Sequence, residues 1–181
     1  MGRHTRFSEA SDHEFGHVLA LNVAAMNKAL VNVDQAQVRV HVCWGNYAGP
    51  HHRDIAASIV WPHIAMLKAK YFLVEAGNAR HAHEHAQDAA RCLSANQVLV
   101  PGVIDTKSAY VEHPDLIADR LLRYAGLLGP ARVMAATDCG FASTSKVRAG
   151  SERTIYSGCF RNDMHGTHTD RRLPSQTTHS A

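Results

Sequence analysis

The sequence predicts an α/β protein organised on a parallel sheet. Short apolar, β-branched runs alternate with longer segments of helical period, and the order reads β-α-β-α-β-α-β after one leading helix. At 181 residues the chain has the size of one ordinary domain, and an apolar fraction of 45% is enough to build a core.

The elements follow in order. "SDHEFGHVLALNVAAMNKALVN" reads as an amphipathic helix, with Ser11 and Glu14 at capping-box spacing and Phe15, Val18, Leu19, Met26, Ala29 and Leu30 at helical period. A strand, Val38 to Val42, comes next. A second helix is expected from about Asp54 to Ala69, kinked or broken at Pro62. "YFLVEAGN" gives a second strand, Tyr71 to Glu75, and "RHAHEHAQDAARCLS" a helical or irregular linker. The third strand is Val98 to Ile104. The helix in "HPDLIADRLLRYAGLLG" has Pro114 in its first turn, a buried face of Leu116, Ala118, Leu121, Leu122 and Ala125, and Gly129 just beyond its end. A fourth strand runs from Val133 to Thr137. Beyond Ser143 few apolar residues remain, so residues 144–181 are expected to be a disordered or irregular tail.

Composition narrows the function. A formal charge of +3, with Lys and Arg scattered, makes no case for nucleic acid. No segment approaches the roughly 20 unbroken apolar residues of a membrane span. "MGRHTRFSEASDHEF" lacks a secretory h-region, so a cytoplasmic location is expected. Four cysteines without a CxxC pair do not form a disulfide framework in that compartment, and 14 histidines favour metal.

Every strand stops in chemistry. His41 and Cys43 end the first, Glu75 the second, Asp105 follows the third, and Asp138 and Cys139 follow the fourth. In parallel α/β proteins the carboxyl ends of the strands converge on one face, so these residues can meet. His41 and Cys43, two apart on a strand, point the same way. His, Cys, Glu and Cys suit tetrahedral Zn²⁺. The competing reading is ordinary: a buried Cys packs as a small hydrophobe, and a strand-end His is satisfied by a carbonyl.

"HVCWGNYAGPHHRD", "VEAGNARHAHEH", "PGVIDTKSAYVEHPDLIADRLLRYAG" and "ATDCGF" together resemble the carboxyl-terminal catalytic barrel of cobalamin-independent methionine synthase. They also resemble its shorter relatives, which include zinc-dependent alkyl transferases acting on thiols. The likeness spans roughly residues 1–143. It implies a partial TIM (β/α)₈ barrel, about the carboxyl-terminal half, since a whole one needs about 250 residues. It implies Zn²⁺ held by His41, Cys43, Glu75 and Cys139, and methyl or alkyl transfer to a small-molecule thiol such as homocysteine. Four protein ligands would close such a site, so a substrate thiolate would displace one; Glu75, the only oxygen donor, yields most easily.

Asp105, Asp138 and Lys107 are the further catalytic candidates. For the two aspartates, capping a neighbouring element competes with orienting His41 or touching substrate. Lys107 stands in "DTKS" where methionine synthases carry a His, which favours a relative with another donor. Asn46 and Asn78 are read as turn residues, Cys92 as packing and Cys159 as an incidental thiol. His81, His83 and His85 are read as a solvated linker, and Glu112 and His113 as a helix entry. The sequence predicts a fragment, with exposed sheet edges that call for a second copy or a partner supplying the remaining strands. An inactive zinc-binding fragment or interaction module is the alternative function.

Overall fold

The computed structural model describes residues 6–45, 50–84, 86–108 and 111–140. Asn46, His85, Cys159 and the predicted tail lie outside these residues.

Helix α1, Asp12–Ala29, begins where the sequence places it. The Ser11 side chain accepts from the Glu14 backbone N–H, and the Glu14 carboxylate accepts from the Ser11 N–H at 2.8 Å. Such a cap is worth about 1 kcal/mol. The carboxylate is held below its usual pKa, chiefly by the Ser11 backbone bond. Gly16 and Val23 are the buried positions of α1, with Phe15, Leu19 and Leu30 packed alongside. Met26 and Ala29 are exposed instead.

Four strands follow: β1 (Arg39–Val42), β2 (Tyr71–Val74), β3 (Val98–Ile104) and β4 (Ala136–Thr137). All neighbours are parallel, in the order β1-β2-β3-β4. His41 pairs with Leu73, and Leu73 with Val100. β4 is shorter than predicted: Val133 makes only an isolated bridge to Leu99, and the ladder resumes at Gly102–Ala136 with an irregular register.

Helices α2 (Ala57–Ile64), α3 (Ala86–Cys92) and α4 (Pro114–Leu128) complete the described elements. Pro62 lies inside α2, which ends two residues later, short of the predicted Ala69; the ring denies the helix one of its hydrogen bonds. α4 keeps its predicted bounds, but its inner face differs. Tyr124 and Leu128 are buried, whereas Leu116 and Leu122 are 44% and 63% exposed. Leu and Ala are good helix formers on either face, so their presence alone did not mark the packed side.

The core lies between the sheet and these helices. Val40, Phe72, Val74 and Leu99 meet Trp61, Ile64, Ala89 and Tyr124 there. Phe72, fully buried, contributes about 1.5–3 kcal/mol. Because β side chains alternate, the intervening positions in β1 and β2, among them His41, project from the opposite face.

Candidate metal centre

β1 and β2 end opposite each other in their ladder, Val42 pairing with Val74. The Glu75 N–H donates to the Val42 carbonyl, which sets Glu75 beside the start of the Cys43 turn. The chain then leaves the sheet through Gly45, whose φ of 110° favours glycine. Trp44 is anchored by its indole N–H, which donates to the Ile55 carbonyl at 2.6 Å.

Three strands on in sequence order, β4 delivers the second thiol and third donor of the group. The Asp138 N–H donates to the Ile104 carbonyl, and the next residue is Cys139. A methyl at Gly102 would lie 2.6 Å from the Asp138 Cα and 2.8 Å from its nitrogen, so only glycine lets β4 approach here. His41, Cys43 and Cys139 thus present ligand atoms that all lie within 4.8 Å of one another, the one such group among the described residues. The Cys139 Sγ to His41 Nε2 distance is 3.4 Å.

The trio shares protons. Hydrogen bonds from Cys139 and then His41 hold the Cys43 thiol down at about 4, in the thiolate form. The Cys43 interaction raises His41 correspondingly and pushes the Cys139 thiol up. A thiolate beside an imidazole and a second thiol is a set of metal donors, whose ligation requires the remaining protons to leave.

Glu75 sits next to this trio without joining its tightest cluster. Its residue is 1% exposed, and burial raises its pKa, with Arg80 the largest opposing influence. Oε1 accepts from Arg80 Nη2 at 2.6 Å, whereas Oε2 is buried and has no hydrogen-bond partner. Trp61 Nε1 and Thr106 Oγ1 are likewise unpartnered, but Oε2 alone belongs to an ionisable group. A buried carboxylate oxygen left unpaired is costly, and a cation beside it removes the cost. Two cysteines and a histidine suit Zn²⁺ rather than Mg²⁺ or Ca²⁺. The residues therefore fit such an ion.

The remaining candidates build the frame. Asp138, 2% exposed, accepts from the N–H groups of Ala76 at 2.8 Å, Gly77 at 2.6 Å and Asn78 at 2.8 Å. Burial pushes it up to about 7 against the pull of those three amides. Asp105 Oδ1 accepts from the Lys107 N–H, and Oδ2 from Asn78 Nδ2 at 3.1 Å. Lys107 is half-buried in that turn. Glu112 is buried, pairing with Arg120 at 2.7 Å and accepting from the Asp105 N–H. His113 caps α4 through Asp115. Asn78 accepts from the Arg80 N–H and shapes the turn, and Cys92 packs against the core.

One sequence expectation is corrected. His81 is not a solvated residue: it is 3% exposed, stacks on Trp44 and places Nε2 2.9 Å from Asp54. Asp54 also meets His51 at 2.8 Å. His83, by contrast, is exposed. The alternating His pattern hid this difference, because the turn over residues 79–84 directs neighbouring side chains differently. Arg80 was missed as well; its only sequence signal is a position five residues beyond Glu75.

Fold and site together define a parallel α/β protein with a cysteine- and histidine-built, metal-competent group at its strand ends. A solved structure that it resembles is that of a B12-independent methionine synthase from Shewanella sp. W3-18-1, in complex with selenomethionine, at a TM-score of 0.59 and 17% identity. The match covers 84% of this chain and 46% of that one, so the chain spans about half the length of its neighbour. At that identity the likeness establishes the course of the fold. No family model matches the chain. No curated protein matches it either. Among the described residues, no helix is long and apolar enough to cross a membrane.

Proposed function

We propose that the chain carries the zinc-binding part of a methionine synthase-like enzyme that transfers a methyl or alkyl group to a thiol. The observation that carries this reading is the convergence of His41, Cys43 and Cys139 within 4.8 Å, on a fold shared with a B12-independent methionine synthase.

His41, Cys43 and Cys139 would hold the ion, with Glu75 as the oxygen donor. Zn²⁺ held there supplies the positive charge that keeps a substrate thiol deprotonated at neutral pH, where a free thiol of pKa about 8.5 is mostly protonated. The rest is done by the chain. Cys43 is already a thiolate, so loading expels few protons from that position. Asp138 fixes the backbone that follows Glu75, and Gly102 fixes Asp138. The overall reaction forms a sulfur–carbon bond, breaks the bond between that carbon and its leaving group, and releases the thiol proton. Asp105 and Lys107, in the turn after β3, are the groups assigned to substrate.

The test combines metal analysis with a thiol-alkylation assay on the chain and its Cys139→Ser variant. One equivalent of zinc, lost in the variant together with turnover, supports the reading. A chain that binds no zinc sinks it. The second reading, an inactive zinc-binding fragment, is favoured by the 46% coverage of the neighbouring enzyme, and zinc without turnover would select it. Under either reading the outer edges of β1 and β4, which pair with no further strand among the described residues, are where a second copy or partner would add.

A further inference from the structure

We propose that Arg80 is a positioning residue that restrains Glu75 to a single ligating oxygen, a role that rests on the metal reading above. Three observations support it. Arg80 Nη2 binds Glu75 Oε1 at 2.6 Å, while Oε2 of the same buried carboxylate has no partner. Arg80 is itself fixed, because its Nε donates to Asn78 Oδ1 at 2.8 Å. Asn78 is fixed in turn by its N–H to Asp138 and its amide to Asp105.

The two oxygens of a carboxylate are chemically equivalent, and either or both can ligate a metal. Here they are made inequivalent. Chelation through both would require breaking a charge-assisted bond to a guanidinium that is anchored on its other side. One oxygen is therefore spent on Arg80, and the other is left for the ion. When Glu75 gives way to an incoming thiol, its charge remains paired with Arg80 rather than buried alone. Lysine could supply the charge but not the planar fork that bridges Asn78 and Glu75.

Zinc affinity tests this, read by competition with a chromogenic chelator on the full chain. Arg80→Ala is expected to lose about 10- to 100-fold in affinity, as outer partners of metal ligands commonly do. Glu75→Gln should lose a similar factor, and the double variant should be no weaker than Glu75→Gln alone. The Co²⁺-substituted Arg80→Ala and Glu75→Gln proteins should share one altered visible spectrum. Wild-type affinity in Arg80→Ala, or losses that multiply in the double variant, would overturn the proposal. Arg80→Lys, which keeps charge and stem, covers a folding failure of the alanine variant: a smaller loss supports the role, and an unchanged affinity overturns it. If Cys139→Ser binds zinc as well as the wild type, the metal reading itself fails and takes the Arg80 role with it.

Discussion

The segments that follow β2 and β4 each bury a carboxylate, and the two are treated in opposite ways. Asp138 receives three backbone N–H bonds and has both oxygens engaged. Glu75 receives one arginine and keeps a buried oxygen without a partner. Burial is nearly the same, at 2% and 1% exposure, so burial cannot tell their roles apart. Hydrogen-bond saturation does. A saturated acid holds the backbone together, whereas a half-satisfied one is available for a ligand.

The largest test of that contrast is Asp138→Ala. It strands three backbone donors at about 1–3 kcal/mol each when buried, so a loss of about 3 kcal/mol or more is expected in urea unfolding. A loss under about 1 kcal/mol would show that the three bonds are not an anchor. Gly102→Ala should follow at about 1–3 kcal/mol, because its methyl displaces the same aspartate without touching its chemistry. If the alanine is tolerated, the close approach of β3 and β4 is not required.

Glu75→Gln should move stability least, staying within about 1 kcal/mol of wild type in the metal-free chain, since it removes a desolvated charge and keeps an acceptor for Arg80. A collapse like that of Asp138→Ala would erase the distinction between the two acids. The pH profile gives the smallest and finest test. Burial raises both acids, Asp138 from 3.8 to about 7. The folded state therefore binds more protons than the unfolded state in that window. The two acids' own contribution to stability is full below pH 4 and declines as pH rises through 7, while Cys43, held down at about 4, contributes in the opposite sense. In chelator-treated protein the urea midpoint of the wild type relative to Glu75→Gln should therefore fall from pH 5 to pH 8, since Cys43 is present in both proteins. A relative midpoint that rises over this range would contradict the assignment.

Much of this site was legible because its signals are local. β3 could be read to its ends because a continuous apolar run is bounded by Gln97 and Asp105. His41 lies near the end of β1 with Cys43 just beyond it, and Cys139 follows β4, so strand polarity alone brings them to one end. Arg80 and the His81–Asp54 contact were not legible, since they join turns through space: Asp54 and His81 are 27 residues apart and share no period. The buried face of α4 was misjudged for a related reason, in that only packing decides which of many leucines is covered.

Asp138 and Cys139 are consecutive residues, one gripping the backbone beyond β2 and the other offering a thiol to an ion. Anything that binds through Cys139 therefore also steadies the turn beyond β2, because whatever binds the folded form preferentially stabilises it.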